Sequence, residues 1–268
     1  MPASPSFGNI KIRYNNIVRA MAGMVYTPLC LTCEKPISRE TPHTLCVDCW
    51  QNLAFLPKHH CSICAHPLTT NQNPTICFVC QQRPIAIDKI VVPFLYQQPL
   101  VKLILKIKHG DDLSLSQFFK SHLLSALDAM LNHIASHEKQ YDKNHIMLLP
   151  VPSHIGKIIK RKYNQAEILA RPLAKHHRLP LVNHLLQRTE PTSQKDISAD
   201  ERFRQLKTAF ALNKKIWAKH RHKKIILVDD VVTTCATMHH LALLLKKNGA
   251  HKVYGIAIAR AVKDMPNI

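Results

Sequence analysis

Two neighbouring carboxylates followed by hydroxyl side chains form the stretch of this sequence that is best suited to binding a sugar. Asp229 and Asp230 come directly after the apolar run Ile225–Val228, which predicts a buried parallel strand. Carboxylates accept hydrogen bonds from the vicinal hydroxyls of a ribose. The threonines that follow are Thr233, Thr234 and Thr237. The alternative is an ordinary strand–turn–helix junction, because aspartate commonly caps helices.

The residues behind these carboxylates predict the element that completes a ligand site. Apolar residues from Met238 to Leu245 recur at helical spacing, and Gly249 is placed to end the helix. The loop 229–237 is therefore expected at the carboxyl end of a strand and the amino end of a helix, where open α/β sheets bind ligands. Free N–H groups at a helix start attract phosphate. Diol and phosphate recognition in one loop predicts a ribose 5-phosphate site.

Eight of the nine cysteines form two units with the same internal spacing. In each unit a Cys-x2-Cys pair lies twelve residues before a second such pair, and the units repeat at an offset of 31 residues. Four thiolates in close pairs offer the tetrahedral set that zinc prefers, and a full set of four predicts a structural site. A disulfide framework would require a secreted chain, and the residues before Cys30 do not resemble a secretory signal. The predicted ligands are Cys30, Cys33, Cys46, Cys49, Cys61, Cys64, Cys77 and Cys80, in sequential or interleaved pairs.

The charge of the chain favours a polyanionic partner. Among its 268 residues, 37 are Lys or Arg and 17 are Asp or Glu, for a formal net charge of +20. Such an excess favours nucleic acid first and an anionic membrane surface second. No apolar run is long enough to span a bilayer, so no transmembrane segment is expected. Residues 10–26 predict an amphipathic helix, and the cytoplasm is the expected location.

A basic middle region connects the cysteines to the carboxylates. Residues 153–163 are predicted to form a loop, with Asn164 capping the helix behind it, and 188–210 a mobile excursion. Aromatic residues within basic stretches suit base stacking on single strands, although core packing is the alternative for each. These aromatics are Tyr163, Phe203, Phe210, Trp217 and Tyr254. The candidate nucleic-acid contacts are Lys157, Lys160, Arg161, Lys162, Tyr163, Arg202, Arg204 and Lys207.

The remaining periodic segments predict the elements that would carry these sites. Residues 87–96 alternate loosely around Pro93 and predict an edge strand. Helices are predicted over 99–109 and 114–136, followed by a buried strand over 146–150. Strands that alternate with helices in this way indicate an α/β domain with a parallel sheet.

The stretch I-I-L-V-D-D-V-V-T-T-C-A-T, residues 225–237, resembles the phosphoribosyl-pyrophosphate (PRPP) loop of type I phosphoribosyltransferases. The resemblance implies that Asp229 and Asp230 hold the ribose 2′ and 3′ hydroxyls. It assigns the 5′-phosphate to the side chains of Thr233, Thr234 and Thr237 and to the backbone N–H of Ala236. Cys235 departs from the pattern, which has glycine there. A Cβ in the left-handed region costs about 1–2 kcal/mol.

Motifs along most of the chain resemble the ComF family. They are Pro150–Pro152, Arg161, Tyr163–Glu167, Arg188-Thr189, Gln194, Arg202–Phe210 and Val228–Thr237, behind the cysteine units. Lys162 departs from this pattern, where relatives carry glycine. The resemblance implies an α/β fold like that of type I phosphoribosyltransferases, a parallel sheet flanked by helices, behind a small double zinc ribbon with four cysteines at each site. The implied organisation is an amphipathic segment 1–29, a ribbon module 30–84 and a phosphoribosyltransferase-like domain 85–268, with a flexible hood over about 188–210.

The same resemblance implies a role in natural competence, where the family handles the single-stranded DNA that enters the cytoplasm. PRPP would bind with Mg²⁺, and two zinc ions would be structural. The alternative is an active phosphoribosyltransferase with a base or nucleotide acceptor, for which the sequence names no general base. A third hypothesis is an adaptor that recruits other DNA-uptake and recombination proteins. A helicase is not indicated, because the sequence has no G-x-x-x-x-G-K-[ST] loop.

Overall fold

The computed structural model describes residues 27–38, 45–68, 75–109, 113–137, 142–189, 199–220 and 223–262. Most of the predicted amphipathic segment 1–29 lies outside these residues, as do Gln194 and the neighbouring part of the predicted hood. The side chains of Lys160 and Arg202 are also outside the described part. The chain divides into two compact units, Met1–Asn52 and Leu53–Ile268. The first cysteine unit belongs to the smaller one and the second to the larger.

The described part of the smaller unit is a zinc-ribbon knuckle followed by helix α1, Val47–Gln51. Leu29 and Pro36 form an antiparallel bridge, and the turn between them is closed by the Cys30 N–H, which donates to the Lys35 carbonyl at 2.8 Å. At the second pair, the Cys46 side chain caps α1 by accepting from the Cys49 N–H at 3.4 Å. The tight turn brings each cysteine pair onto one side of its backbone.

The second ribbon repeats this construction inside the larger unit, which confirms the internal repeat. His60 and Pro67 bridge as Leu29 and Pro36 do, and α2, Phe78–Gln82, follows Cys77. The residues with positive φ also occupy matching positions in the two ribbons, since Glu34 and Ala65 have φ values of 63° and 57°. The same cysteine spacing therefore imposes the same left-handed turn twice.

The larger unit is built on a parallel sheet whose strand order is β1-β7-β6-β3, with β2 also paired to β7. The strands are β1 Lys89–Val91, β2 Phe94–Leu95, β3 Ile146–Pro150, β6 Lys224–Val232 and β7 Lys252–Arg260. All five residues of β3 are buried, as the continuous apolar run predicts. The predicted edge strand over 87–96 is present at the edge, although it is broken into two short strands before and after Pro93.

Helices flank this sheet. They are α3 Leu100–His109, α4 Leu113–His137, α5 Ile155–Arg161, α6 Gln165–His177, α7 Ala199–Gln205, α8 Lys214–Trp217 and α9 Ala236–Lys247. A separate antiparallel pair is formed by β4 Leu186–Arg188 and β5 Phe210–Leu212 at the two ends of the predicted hood. The observed architecture is the parallel α/β sheet with a preceding double zinc ribbon that the sequence predicts. No described helix has the length and apolar character needed to cross a membrane.

Residues 153–163 correct one prediction, because they form helix α5 where a loop was expected. His154 caps this helix, with Nδ1 accepting from the Gly156 N–H at 3.2 Å, and Lys162 ends it in the left-handed conformation at φ 65°. The departure from glycine at Lys162 therefore falls where a residue without a Cβ is favoured. The helix was not predicted because a short helix of two turns carries too few apolar residues for a clear period.

The second ribbon and the segment that follows it are joined to β1 and α9 by hydrogen bonds. The Ile90 N–H on β1 donates to the Ile63 carbonyl at 2.7 Å. The Ala86 N–H donates to Nδ1 of His239 on α9 at 3.0 Å, and Lys246 donates to the Ala86 carbonyl at 2.7 Å. Burial, together with the charges of His240 and Arg83, lowers the pKa of His239 to about 4, so its Nδ1 stays available as an acceptor at neutral pH. Hydrogen bonds therefore connect the second ribbon, β1 and α9.

Candidate functional site

The carboxylates lie at the end of a strand and not in the loop that was predicted over 229–237. β6 continues to Val232 because its pairing with β7 extends through Val231–Ala259 and Val232–Arg260. α9 begins at Ala236, which leaves Thr233–Cys235 as the loop. Strand end, short loop and helix start nevertheless follow one another as the sequence indicates.

The backbone orders the two aspartates. Oδ1 of Asp229 accepts from the Asp230 N–H at 2.8 Å, and Oδ1 of Asp230 accepts from the Val231 N–H at 2.7 Å. Both side chains are half-buried. An ionised carboxylate offers about four acceptor sites in all.

A cavity of about 210 Å³ opens beside these carboxylates. Its cationic wall is formed by Lys157 and Arg161 of α5 and by Arg188 of β4. A small cavity lined by both carboxylates and cations matches a ligand that carries both hydroxyl and phosphate groups. The other lining residues are Val151, Pro152, Ser153, His154, Asn164, Gln165, Ala166, Val231 and Thr237.

Gln165 is a residue of this cavity to which sequence reasoning assigned no individual role. It is only 5% exposed, and its Oε1 accepts from Arg161 Nη1 at 3.0 Å. Its Nε2 has no hydrogen-bond partner among the described residues. A buried amide donor without a partner is costly. The signal was its place directly after the capping Asn164, within a motif already singled out.

A second cavity, of about 530 Å³, adjoins the first, and the two share the lining residues Pro152, Ser153, His154, Asn164 and Arg188. Its apolar walls include Ile158 and Val182, and Glu167 lines it. Arg171 and the Asn183 amide, at 2.8 Å, both contact Oε1 of this carboxylate. A volume of this size falls within the range of about 300–1,000 Å³ that is typical of small-molecule sites.

The loop threonines and Cys235 differ in their surroundings. Thr233 is exposed, and Thr234 is half-buried with Oγ1 accepting from the Ala236 N–H at 3.4 Å. Cys235 has φ 62°, so the position requires the left-handed conformation that glycine adopts freely. Its side chain is 5% exposed. Interaction with the Cys64 thiol of the second ribbon, together with burial, raises the pKa of Cys235 well above its usual range. The thiol is therefore not the reactive, exposed group that a helix start would favour.

Each predicted zinc site is formed by one cysteine unit, so the pairing is sequential. In each set, Cys30, Cys33, Cys46 and Cys49 or Cys61, Cys64, Cys77 and Cys80, the sulfur atoms lie within 4.8 Å of one another. Four converging thiolates with no other ligand type fit a structural zinc ion, which needs a closed tetrahedral set. The two sets differ in exposure. All four cysteines of the second set are buried, whereas Cys33 of the first is exposed.

The candidate nucleic-acid contacts are spread over two surroundings. Lys157 and Arg161 line the smaller cavity, whereas Lys162, Arg204 and Lys207 are exposed. Tyr163 is half-buried, and its hydroxyl donates to the Ile107 carbonyl at 2.8 Å.

Two of the aromatics considered for base stacking are core residues. Trp217 is 2% exposed and Tyr254 is 4% exposed, so neither presents a face to a base. Phe203 is partly buried beneath the Arg83 guanidinium, 4.9 Å from its ring centroid.

Comparisons with known proteins agree with both parts of this structure. The family described as "Double zinc ribbon domain" matches residues 21–81. Competence protein F of Haemophilus influenzae is 29% identical over 81% of this chain and 90% of its own length. DNA utilization protein YhgH of Escherichia coli is 29% identical over 87% and 97% of the respective chains.

A third relative is also named for competence. Competence protein ComFC of Bacillus subtilis is 24% identical over 89% of this chain and 98% of its own length. These relatives align along most of the chain. Over most of its length the chain is therefore similar to competence and DNA utilization proteins, and its cysteine units match the double zinc ribbon family.

Proposed function

We propose that this protein handles incoming single-stranded DNA in the cytoplasm during natural competence and carries a site that binds PRPP with Mg²⁺. The ribose-phosphate part of this proposal rests on one cavity, which is lined by Asp229 and Asp230 and by the cations Lys157, Arg161 and Arg188. The names of the relatives, competence and DNA utilization proteins, support the DNA part.

The chemistry of the cavity supports the order in which a ribose phosphate would lie. The carboxylates would accept from the vicinal hydroxyls, and the start of α9, with Thr237 and the Ala236 N–H, would receive the 5′-phosphate. Lys157 and Arg161 would then face the pyrophosphate, where their positive charges would attract its negative charge. Gln165 would gain an acceptor for its unpartnered Nε2.

Magnesium fits the same residues. Asp229 and Asp230 supply hard carboxylate oxygens, and Mg²⁺ commonly binds through one or two carboxylates together with substrate phosphates. When bound, it would neutralise charge on the pyrophosphate oxygens. The protein's part is to hold the ribose and to orient the pyrophosphate with the cations of α5.

Calorimetric titration tests the ribose-phosphate site. PRPP with Mg²⁺ is expected to bind the unaltered chain. Combining Asp229→Ala with Asp230→Ala is expected to lower the affinity for PRPP by about 100-fold or more, because two charged acceptors are removed. Gln187→Ala is a matched control, since this exposed residue lines only the larger cavity. Equal affinity in the unaltered chain and the double variant would refute the assignment.

The charge distribution supports sequence-independent DNA binding. Removing Lys162 and Lys207 together, as Lys162→Ala with Lys207→Ala, is expected to weaken binding of an unstructured oligonucleotide. The slope of log K against log salt should become shallower by about 0.7 for each phosphate that is no longer neutralised, because fewer counterions are released. Fluorescence anisotropy at several salt concentrations measures the oligonucleotide affinity and its salt dependence. Lys175→Ala, at an exposed position on α6, is the matched control. Binding that is insensitive to salt would favour the adaptor hypothesis instead.

The larger cavity favours a second candidate function, an active phosphoribosyltransferase. It adjoins the ribose-phosphate cavity, and its apolar walls with one carboxylate, Glu167, suit a flat acceptor that offers N–H groups. Pyrophosphate released from PRPP only when a base or nucleotide is added would support turnover. A chain that binds PRPP and releases none with any nucleobase would retain the binding function alone.

A further inference from the structure

We propose that the larger cavity is a site for a guanine-type base and that the two adjoining cavities together hold one purine ribonucleotide. The ligand class is a purine that offers two neighbouring N–H donors, as guanine does at N1 and at its 2-amino group. The position of its ribose rests on the ribose-phosphate site proposed above, whereas the base preference rests on the larger cavity alone.

The edge of the central sheet brings the first polar side chain to this cavity. The chain at Val182 runs parallel to β3, and its N–H donates to the Leu148 carbonyl at 3.1 Å. Asn183 follows directly, so it lies at the carboxyl end of β3, where Pro150 also lines the cavity. Open α/β sheets bind ligands at this end of their strands.

The start of α6 brings a carboxylate to the same wall. Asn164 caps this helix, with Oδ1 accepting from the Ala166 N–H at 3.2 Å, and Glu167 lies in the first turn. The Asn183 amide donates to Oε1 of Glu167 at 2.8 Å, and Arg171 contacts the same oxygen. Oε2 accepts no hydrogen bond from the residues that the structure describes. The contacts therefore orient the carboxylate through one oxygen and leave the other for a ligand.

The amide oxygen of Asn183 is the second acceptor. Because Nδ2 donates to Glu167, Oδ1 is the atom that remains, and this buried oxygen has no hydrogen-bond partner within the described ranges. A buried acceptor without a partner is costly, so a donor on a ligand would relieve that cost. Apolar side chains of Ile158, Val182 and Leu186 complete the wall and suit the faces of a flat ring.

Two neighbouring acceptors discriminate between purines by the donors that each purine carries. Guanine offers N–H groups at N1 and at its 2-amino group, and hypoxanthine offers the one at N1. Adenine has a lone pair at N1, which the Glu167 carboxylate would repel. The wall formed by Glu167 and Asn183 therefore favours guanine over hypoxanthine and hypoxanthine over adenine.

The wall between the cavities lets one nucleotide reach both. Ser153 and Arg188 are among the residues that line the two cavities together. A base in the larger cavity would thus lie beside a ribose whose hydroxyls contact Asp229 and Asp230. These carboxylates suit vicinal hydroxyls, which a nucleotide within DNA lacks, so the ligand we infer is a ribonucleotide that is not part of DNA.

Calorimetric titration of the full chain with guanosine, inosine and adenosine 5′-monophosphate (GMP, IMP and AMP) tests the base preference. GMP is expected to bind about 10–100-fold more tightly than AMP, the discrimination typical of a good pair of hydrogen bonds to a base, with IMP between them. The deoxyribonucleotide dGMP, which lacks the 2′-hydroxyl, is expected to bind more weakly than GMP.

Glu167→Gln is the informative variant. If Oε1 keeps its two contacts, the new amide group places a donor where the guanine donors would approach, so the preference for GMP over AMP should fall to within about threefold. The affinity for PRPP with Mg²⁺ is expected to stay unchanged, because PRPP carries no base. Glu201→Gln is the matched control, since this carboxylate lines neither cavity.

Different results overturn different parts. Equal affinities for GMP and AMP, or no binding of either, would overturn the base site, and PRPP binding by the same preparation would leave the ribose-phosphate site intact. A preference for GMP that persists in Glu167→Gln would overturn the assignment to this wall. Equal affinities for GMP and dGMP would reject the placement of the ribose on the carboxylates. A chain that does not bind PRPP but prefers GMP, with the preference lost in Glu167→Gln, would reject the PRPP site and still support the base site.

A second variant covers the case in which Glu167→Gln does not fold. Asn183→Ala removes the second acceptor together with the amide that orients Glu167. The preference for GMP over AMP is expected to fall in this variant as well, and an unchanged ratio of the two affinities would overturn the proposal.

Discussion

Cys77→Ser is expected to release one zinc ion and to destabilise the larger unit strongly. Cys77 is 4% exposed, and its whole set lies in the buried cluster that includes Leu149 and Ile225 of the central sheet. Structural zinc contributes about 10–16 kcal/mol of apparent binding free energy in small zinc domains. Even a third of this amount would lower the melting temperature by roughly 7–20 °C, since 1 kcal/mol corresponds to about 2–4 °C in a domain of this size. Calorimetric unfolding with zinc quantification measures both effects.

The matching position in the first ribbon supplies the control. Cys46→Ser is expected to release one zinc ion as well, but to leave the main unfolding transition of the larger unit within about 2 °C, in accord with separate compact units. A fall in that transition equal to the one caused by Cys77→Ser would contradict the difference. So would a Cys77→Ser chain that lacks the zinc ion and keeps its melting temperature.

Gly255→Ala is the second change for which a large effect is expected. Gly255 lies in the middle of β7, paired with β1 on one side and with β6 on the other. A Cβ at this position would stand 2.5 Å from Sδ of Met238 and 3.1 Å from Cδ1 of Ile87. Met238 is 1% exposed and Ile87 is 2% exposed, so neither side chain has free space into which to move.

Overpacking of this kind costs about 1–3 kcal/mol, and the displaced Met238 lies at the start of the helix that follows the loop Thr233–Cys235. We therefore expect Gly255→Ala to lower both the free energy of unfolding and the affinity for PRPP. Gly156→Ala is the control, because its Cβ would meet only the ring of His154, at 3.3 Å, on an exposed helix. Denaturant unfolding of the two variants measures the loss in free energy of unfolding for each. Equal losses would contradict the prediction, because they would show that the core around Gly255 can accommodate the added Cβ.

Much of the fold could be predicted because strong periods and repeated spacings occur in the sequence. The apolar runs of β3 and β6 and the cysteine repeats depend on local order alone. The sequential pairing of the cysteines into two sets could not be read from their spacing and is given by the structure. Boundaries were harder. β6 continues past its carboxylates because β7 lies beside it, and that pairing partner is 28 residues away in the register Val232–Arg260. The position of the loop therefore depends on a tertiary contact that local sequence does not report.

The sequence indicated the two carboxylates of the candidate site, but not all of the elements that surround them. The cationic wall was assigned to a loop, whereas α5 presents it from a short helix that begins at a histidine cap. Lys162 and Cys235, the two departures from glycine, both occupy left-handed positions, at φ 65° and 62°. The conformational need could be read from the sequence pattern. The burial of Cys235 in a core cluster that includes the second cysteine set could not, because those cysteines are distant in the chain.

The strand at the centre of the sheet is also the last of the described strands to be synthesised. β7 joins β1 and β2 on one side to β6 on the other, so the sheet exists as separate pieces until Lys252–Arg260 leaves the ribosome. Both ribbons emerge much earlier and close through local turns. At about 5–20 residues per second, roughly ten seconds or more separate the second ribbon from β7. Metal can thus be captured co-translationally by a nascent chain whose sheet is still incomplete, and a product that stops before β7 would carry its zinc and expose an unpaired edge of β6 to proteases and aggregation.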